Sequence, residues 1–419
     1  MSTSPRPPSQ PAAALLLRGA TLADGHHVDV RCAGGAIVAV GPAGTVVGAP
    51  GDEVHDLTGW LLLPAPAEPH AHLDKALTAD RVPNPAGDLV GAITAWHAQW
   101  PTLTVEEIAG RARTAALRGL TNGTTAVRTH VDVSSALRLR SVEALLRVRD
   151  ELADLVDIQV VALVSLPTAG VAGAEHRALL REALAMGVDL GGGCPHLDDD
   201  PFGCLEACLD AAADFERPID LHVDETLDPA VLGLRDFVEL VTKTEFPYGA
   251  AASHCVSLGM QPDVVQAEVS ELVAAAGIAV VTLPQTNLFL QGRGRRTGQP
   301  RGLTAIGALR HAGATVAAGA DNLQDPFNTM GRADALETAA LLVMAAHLSP
   351  EDAYGAVCTS ARAAMGLPPV EVAVGFPAEL LAVPAVSVRD AVASAPAERL
   401  VVRRGRVVVR SRLDVQTAW

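Results

Sequence analysis

The chain has 419 residues, 49% of them hydrophobic and 19% charged, with a formal net charge of −16. This composition is globular and can build a large core, while the acidic balance argues against nucleic acid and anionic membrane surfaces as partners. The length suits one large domain plus a smaller one, or two to three average domains. No segment reaches the roughly 18 apolar residues of a membrane span, so we expect no membrane association.

The first segment, residues 1–13, is rich in Pro and Ser and has no signal-peptide layout. It is interpreted as a disordered tail. The six cysteines include no CxxC pair and no dense framework, which indicates reduced thiols. Together these features predict a cytoplasmic protein.

Residues 14–63 are predicted to form short strands, with Gly pairs marking hairpin turns. Residues 368–419 show the same pattern of short apolar strands and turns, and "RLVVRRGRVVVRSR" predicts a hairpin around Arg404 and Gly405. Two β-rich ends that flank one long middle segment favour a single small β domain, a β-sandwich, built from both ends of the chain.

The middle of the chain, residues 64–367, alternates apolar strand-like runs with amphipathic helical stretches. Repeated β-α units predict a parallel sheet. About eight such runs precede residue 365, and that number favours an α/β fold of the (β/α)₈ or TIM-like barrel type. A doubly wound sheet is the alternative, but no Gly-rich phosphate loop follows a first strand.

Polar residues with metal-binding or acid–base chemistry fall at the ends of these predicted strands. His70 and His72 are two apart, a spacing that puts both side chains on one face of a strand. The carboxyl ends of barrel strands ring one mouth, so residues far apart in sequence are expected to converge there. The other members of the set are His130, Asp132, His222, Glu225, His254 and Asp321.

Four of these residues form a plausible ligand set for one divalent cation. His70, His72, His222 and Asp321 supply three nitrogens and one oxygen, which suits Zn²⁺ or Fe²⁺ and leaves a position for water. The metal would lower the pKa of that water and generate hydroxide near neutral pH. Glu225 is predicted to act as acid and base, and His254 to orient the hydroxide or stabilise its charge.

Seven stretches carry a resemblance to a known family: "EPHAHLDKAL", "VRTHVDVS", "DIQVVAL", "DLHVDET", "ASHC", "TNLFLQGR" and "GADNLQDPFNTMG". In order and spacing the chain resembles the amidohydrolase superfamily, and within it the cytosine deaminase branch. The resemblance implies a barrel with a terminal β-sandwich and one metal on the four ligands named above. It also implies that Glu225 carries a proton to a ring nitrogen and that Asp321 receives the proton of the attacking water.

The substrate positions depart from the cytosine deaminase pattern. Ser165 stands about where that branch uses Gln to hold the pyrimidine, and Asn322 replaces a second acid. Phe327 stands where Trp is common. Because a site that loses buried polar partners rejects its former ligand, cytosine itself is not the expected substrate. Gln291 and Leu89 are added to the predicted substrate contacts, and the Arg- and Gly-rich loop 291–302 is left as a solvated loop, a lid or an anion contact.

The leading hypothesis is a metal-dependent enzyme that hydrolyses a C–N bond of a nitrogen heterocycle and releases ammonia or an amine. The alternatives are an aminohydrolase acting on an N-substituted triazine, a ring-amide hydrolase of lactams or imides, and a non-catalytic binding protein on the same scaffold. The cytidine-deaminase H-x-E and P-C-x-x-C signatures and the G-x-S-x-G elbow are absent. Relatives in the superfamily are often oligomers, so a homo-oligomer is a further expectation.

Overall fold

The structure is a computed structural model that describes residues 14–418. The predicted tail, residues 1–13, lies outside the described residues. Contacts within the chain divide it into two compact units, one made of residues up to 65 together with those from 368 onwards, the other of residues 66–367. We propose that these units correspond to the two predicted domains, whose boundaries were placed after residues 63 and 367.

The elements follow one another with the alternation that the sequence predicts in its middle part. The first segment carries β1 (Leu15–Thr21), β2 (His27–Ala33), β3 (Ala36–Pro42), β4 (Glu53–Asp56) and β5 (Leu61–Pro64). The middle segment carries β6 (Ala67–Ala71), α1 (Leu89–His97), α2 (Val105–Thr121), β7 (Ala126–Val133), α3 (Arg140–Leu152), β8 (Asp157–Val164), α4 (Ala174–Ala185), β9 (Leu190–Gly192), α5 (Pro201–Asp214), β10 (Ile219–Val223), α6 (Gly233–Lys243), β11 (Ala250–His254), α7 (Asp263–Ala275), β12 (Ala279–Thr282), α8 (Pro284–Leu290), α9 (Ile306–His311), β13 (Val316–Ala318), α10 (Ala335–Ala345), α11 (Pro350–Val357) and α12 (Thr359–Ala364). Short 3₁₀ helices cover Trp100–Thr102, Pro195–Leu197 and Val256–Met260. The last segment carries β14 (Leu380–Val383), α13 (Val388–Ser394), β15 (Leu400–Arg403) and β16 (Arg406–Arg410).

The two ends of the chain share one hydrogen-bonded sheet. Its order is β16-β15-β14-β5-β1-β2-β3, with β4 paired to β1. The link between the ends is the antiparallel pair β14–β5. The hairpin predicted at Arg404 and Gly405 joins β15 to β16, and both turn residues have positive φ, +48° and +73°, as a two-residue hairpin turn of this hand requires.

The middle unit is an eight-stranded parallel barrel surrounded by helices. Its strands follow the chain, from β6 to β13, and each ladder between neighbours is parallel. The strands are lined by small and β-branched residues, and one buried cluster combines Ala67, Ala126, Val281, Leu283 and Ala317 with Ala361 and Met365 of the last helical region. The predicted fold class, a (β/α)₈ barrel with a β structure built from the two chain ends, is confirmed.

The seam between the first and last barrel strands is closed by a few specific contacts. An isolated parallel bridge pairs Ala71 with Asp321, and the Asp321 N–H donates to the His70 carbonyl at 3.0 Å. The half-buried Glu68 carboxylate accepts from the N–H of His70 at 3.1 Å and from the N–H of Ala320 at 2.9 Å. One side chain therefore ties the strand end that carries His70 to the strand end that carries Asp321.

Helix α1 begins with a side-chain cap that fixes its start. Asp88 accepts a hydrogen bond from the Gly91 N–H at 2.8 Å, which satisfies one of the free donors of the first turn. Trp96 on this helix is buried, at 1% exposure. Within residues 14–418, no helix is both long and apolar enough to cross a membrane.

Candidate metal centre and active site

The four residues predicted to bind a metal lie together at the carboxyl ends of the barrel strands. His72 Nε2 is 3.2 Å and His70 Nε2 is 3.6 Å from Asp321 Oδ1. His222 Nε2 is 3.2 Å from His72 Nε2. All four side chains are buried. The barrel therefore brings together residues that are up to 251 positions apart in sequence, 70 to 321.

Hydrogen bonds on the far side of two imidazoles set which nitrogen is free. His70 Nδ1 lies 2.8 Å from Ser253 Oγ, which donates to Asp220 Oδ1 at 2.9 Å. His72 Nδ1 lies 3.2 Å from the His130 carbonyl oxygen. In both cases the outer partner takes the Nδ1 proton, so the Nε2 lone pair faces the cluster, as metal-binding histidines require.

The atoms at the centre of the cluster are acceptors that lack donors. His70 Nε2, both carboxylate oxygens of Asp321 and His254 Nε2 are buried without a hydrogen-bond partner among the described residues. Buried polar atoms are normally paired, and several unpaired acceptors around one point are the arrangement that a cation satisfies. The ligand atoms of His70, His72 and Asp321 lie within 4.8 Å of one another, as do those of His70, His222 and His254. The residues present therefore fit a divalent cation.

The protonation states of these histidines and of Asp321 also suit a divalent cation. Burial lowers the pKa of His70, His72 and His222 well below the ordinary histidine value, so the imidazoles are neutral and able to bind a metal. Burial, followed by the nearby Glu225 and Asp325 carboxylates, raises the pKa of Asp321 well above its ordinary value. A bound cation would reverse that effect and favour the carboxylate.

Glu225 and His254 lie beside the cluster, where acid–base chemistry is predicted. His254 Nδ1 is 3.1 Å from Asn287 Oδ1 and 3.6 Å from Glu225 Oε1. Burial raises the pKa of Glu225 to about 8, so its carboxyl exchanges a proton near neutral pH. His254 and Asp321 have φ of +71° and +66°, a conformation uncommon for residues other than Gly. Such strain concentrates at functional sites.

A cavity of about 280 Å³ opens on this cluster. His72, His222, Glu225, His254 and Asp321 line its floor. Four of the five predicted substrate contacts line its walls: Leu89, Ser165, Asn322 and Phe327. The volume is near the lower end of the range for small-molecule pockets, roughly 300–1,000 Å³.

Gln291, the fifth predicted substrate contact, has another position. It is not among the residues that line the cavity, and its Nε2 donates to the Glu225 carbonyl oxygen at 3.2 Å. The structure thus places Gln291 behind the acid–base residue. In the adjoining Arg- and Gly-rich loop, Arg293 packs on the Phe289 ring, with its guanidinium carbon 4.4 Å from the ring centre.

Sequence reasoning missed most of the cavity wall. Besides the predicted Leu89, helix α1 contributes Ile93, Trp96 and His97, and the spacing puts all four on one helical face. Lys75 also lines the cavity and is 2% exposed. The available signal was the stretch "WHAQW", which places two of the four tryptophans within five residues of each other in a chain with 3% aromatics.

A second group of buried polar residues lies beneath the cluster and is not suited to a cation. His130 stacks on His70 with ring centres 3.9 Å apart, and its Nε2 is 3.7 Å from Asp220 Oδ2. The same Asp220 oxygen accepts from Arg128 Nη1 at 2.8 Å. Since the guanidinium already neutralises Asp220, a metal at this point would face a like charge.

Buried carboxyls predict how the stability of the metal-free protein depends on pH. Burial raises the pKa of both Glu68 and Glu225 from 4.5 to about 8. The folded state then holds protons that the unfolded chain has lost, so the free energy of unfolding falls as pH rises towards 8. The buried histidines act in the opposite sense only below their ordinary value of 6.5. From pH 7 to pH 8 we therefore expect a loss of about 1–2 kcal/mol, at about 1.4 kcal/mol per proton per pH unit.

Denaturant unfolding of the chelator-treated protein at pH 7 and pH 8 measures this change. Asp321 and Asp325 also have raised pKa values, so Glu225→Gln, which removes one of several such carboxyls, is expected to make the loss smaller without abolishing it. A free energy of unfolding that stays constant or rises over this interval would contradict the assignment of protonated carboxyls in the core.

Comparison with known proteins connects this geometry to a family. A model of the Amidohydrolase family matches residues 164–409. A pterin deaminase of Rhizobium rhizogenes is 34% identical over 397 residues, covering 92% of this chain and 89% of that protein. An N-isopropylammelide isopropyl amidohydrolase of a Pseudomonas species is 26% identical over 414 residues, covering 96% of this chain and 98% of that protein.

A solved structure shows the same likeness along almost the whole chain. The 5-methylcytosine deaminase of Klebsiella pneumoniae, liganded with 5-fluorocytosine, superposes with a TM-score of 0.87 at 28% sequence identity. The match covers 97% of this chain and 99% of that one. The likeness in fold therefore extends over nearly the same length of the chain as the likeness in sequence.

Proposed function

The chain belongs to the amidohydrolase family, and on that premise we propose that it is a metal-dependent hydrolase that removes ammonia or an amine from a nitrogen heterocycle. It is an enzyme that acts on carbon–nitrogen bonds outside peptides. The similar proteins are named a pterin deaminase, a 5-methylcytosine deaminase and an N-isopropylammelide isopropyl amidohydrolase, so their names combine deamination or amidohydrolysis with different nitrogen heterocycles.

One observation supports the proposal above the others. A cluster of acceptor atoms suited to a cation shares one cavity with a buried carboxyl whose pKa lies near neutrality. Hydrolysis of a cyclic amidine needs an activated water and a group that delivers a proton to the ring and the leaving nitrogen. The cluster that could hold the cation and the Glu225 carboxyl both line the same cavity, so both requirements are met at one site.

We assign the cation to His70, His72, His222 and Asp321, and propose Zn²⁺ or Fe²⁺, since three imidazoles and one carboxylate suit either ion. When bound, such a cation acts as a Lewis acid and lowers the pKa of water so that hydroxide is available near neutral pH. His254 belongs to the geometric cluster as well, and we propose that it holds the attacking oxygen rather than the metal.

The proton transfers are assigned to carboxyls of this chain. Glu225 in its protonated form donates to a ring nitrogen, which makes the adjacent carbon more electrophilic. Asp321 accepts the proton of the attacking water. Asp321 then delivers that proton to the nitrogen that leaves. Glu225, deprotonated by its first transfer, accepts the proton of the new hydroxyl group as the carbonyl forms, so that ammonia or an amine departs as a neutral molecule. His254, held at Nδ1 by Asn287, presents Nε2 to the attacking oxygen.

The substrate class follows from the cavity. Trp96, Trp100 and Phe327 supply aromatic walls, which pack well against a planar ring. We propose Leu89, Ser165, Asn322 and Phe327 as substrate contacts, and Gln291 as a support for Glu225. Asn322 donates to Asp325 Oδ2 at 2.8 Å, and its Oδ1 accepts a long hydrogen bond from Thr286 Oγ1 at 3.4 Å, so we propose that the second lone pair of Oδ1 faces the ring.

Release of ammonia from a panel of rings tests the proposal. We expect purified protein with about one metal per chain to deaminate one class among pyrimidines, triazines, pterins and cyclic guanidines. The expected kcat/KM is in the ordinary enzymatic range of about 10⁴ M⁻¹ s⁻¹ or more. N-alkylated triazines belong in the panel, with amine release as the readout. Fully metallated protein that releases neither ammonia nor amine from any ring, but opens a lactam or imide, would replace this proposal with ring-amide hydrolysis.

We also propose a cytoplasmic setting. Within residues 14–418, which hold all six cysteines, no disulfide is formed and five of the cysteines are buried, which suits a reducing compartment. Assembly into a homo-oligomer remains a prediction from the family resemblance.

A further inference from the structure

A buried charge pair forms part of the cavity wall beside the metal cluster. Lys75 Nζ donates to Asp132 Oδ1 at 3.0 Å and lies 3.6 Å from Asp74 Oδ1. Trp96 Nε1 donates to the other oxygen of Asp132 at 2.6 Å. Lys75 and Asp132 are 2% and 7% exposed, and both line the cavity with Trp96. The carboxylate is therefore fixed from two sides, and it fixes the ammonium in turn.

The hydrogen bonds of Lys75 are incomplete once His72 holds a metal. Lys75 Nζ lies 3.2 Å from His72 Nδ1, which can accept only if the imidazole proton is on Nε2. Nε2 is the nitrogen that faces Asp321 at 3.2 Å, so a metal ligand needs the proton on Nδ1, donated to the His130 carbonyl. An ammonium has three N–H groups. In the metal-bound protein, the hydrogen bond from Lys75 to Asp132 is the one short bond that remains among the described residues. The other N–H groups of Lys75 are then available to a substrate bound in the cavity.

The position of Lys75 relates it to a bound ring. Its ammonium lies on the opposite side of the His72 imidazole from the ligand atoms, and 5.7 Å from the centre of the Phe327 ring. Because Lys75 lines the same cavity as His72, His222 and Asp321, a planar ring whose reacting carbon meets the cluster can bring a further substituent within reach of the ammonium. A buried ammonium favours an oxygen acceptor there and rejects an amino group, because two donors cannot pair.

Resting on the function proposed above, we propose that Lys75, held by Asp132 and Trp96, is a specificity-determining residue. It selects rings that carry an exocyclic oxygen in addition to the amino group that leaves. Rings that carry a second amino group or a hydrogen instead of the exocyclic oxygen would offer the Lys75 ammonium no acceptor from the substrate.

Matched pairs of rings with and without the oxygen test this role. The probes are 2-amino-4-oxopteridine against 2,4-diaminopteridine and 2-aminopteridine, and 4-amino-2-oxopyrimidine against 4-aminopyrimidine. In the metal-loaded wild type we expect kcat/KM to favour the oxo ring. In Lys75→Met we expect the ratio of kcat/KM, oxo ring over its partner, to fall about 10- to 100-fold, the range for one hydrogen bond to a charged group.

A second variant separates specificity from folding. Lys75→Met leaves Asp132 buried without its cation, which can destabilise the protein. The double variant Lys75→Met/Asp132→Asn removes the charge of the carboxylate that Lys75 contacts at 3.0 Å, and its amide oxygen can still accept from Trp96. Asp74, 3.6 Å from Lys75, stays as an acidic neighbour. The double variant is expected to show the same loss of the kcat/KM ratio, with a thermal stability above that of Lys75→Met and with wild-type metal content.

Binding gives a readout that does not depend on turnover. In metal-loaded Glu225→Gln, titration calorimetry with 2,4-dioxopteridine, which has no leaving amine, is expected to show a Kd that rises about 10- to 100-fold when Lys75→Met is added. A ratio of kcat/KM that stays at the wild-type value, or a loss of metal that accounts for the whole effect, would overturn the proposal. If the wild type releases no ammonia from any ring, the proposed function fails, and the calorimetric result alone decides the role of Lys75.

Discussion

Replacing Glu225 by Gln is expected to lower kcat about 10²- to 10⁴-fold while the metal content stays at the wild-type level. The substitution keeps the size of the side chain and removes its capacity to donate and accept a proton, which is worth about that range in general acid–base catalysis. Glu225 is not one of the atoms that converge within 4.8 Å at the cluster. Its contacts are His254 Nδ1 at 3.6 Å and, through its backbone carbonyl, Gln291.

Several measurements together distinguish this outcome from damage to the site. Metal analysis and steady-state kinetics are made on the same preparation, with Glu206→Gln as a matched control on the exposed face of α5. The control is expected to keep wild-type kcat. If Glu225→Gln lost the metal along with the activity, Glu225 would have to be counted as a ligand, and the assignment of the proton transfer would fail.

The ligand set is the part of the site that sequence alone could anticipate. His70 and His72 carry a local signal, since a spacing of two in a strand gives one face. His222, His254 and Asp321 become partners only through the barrel, which places every strand end at one mouth. Eight β-α repeats were enough to predict that topology, and hence the convergence of residues remote in sequence.

The walls of the cavity could not be predicted in the same way. Trp96 reaches Asp132 because helix α1 follows a long loop and turns one face towards the barrel mouth, and no periodicity encodes that docking. Gln291 was expected at the substrate because it belongs to a motif, yet its amide reaches the backbone of Glu225. Contacts made by loops depend on packing between distant segments, which a single sequence does not reveal.

Glu68 illustrates the same limit inside a recognised motif. It precedes His70 in "EPHAH", and the spacing alone places it on the same strand face as the histidines. The structure shows that its two oxygens accept N–H groups from two different strands, His70 and Ala320. That role depends on which strand closes the barrel, so it becomes visible only with the fold.

Asp321→Asn is expected to have opposite effects on the metal-free and the metal-loaded protein. Burial and the neighbouring carboxylates penalise the charge of Asp321 when no cation is present. A neutral amide removes that penalty. At pH 8 the free energy of unfolding of the chelated variant should therefore exceed that of the chelated wild type by about 1–3 kcal/mol. With metal added, the variant should gain much less stability than the wild type. A metal that binds only the native state raises the free energy of unfolding by an amount that grows with the logarithm of its affinity.

Activity should fall in parallel with that lost affinity, by about 10³-fold or more, since several kcal/mol of transition-state stabilisation depend on the cation and each 1.36 kcal/mol is a factor of ten. Denaturant unfolding with chelator and with Zn²⁺ or Fe²⁺ gives both stabilities, and Asp210→Asn, an exposed position on α5, is the matched control. An apo variant less stable than apo wild type would mean that the Asp321 carboxylate is satisfied by the protein itself. The close approach of His70 and His72 to Asp321 would then need an explanation other than a metal, because His70 Nε2 and both Asp321 oxygens have no hydrogen-bond partner among the described residues.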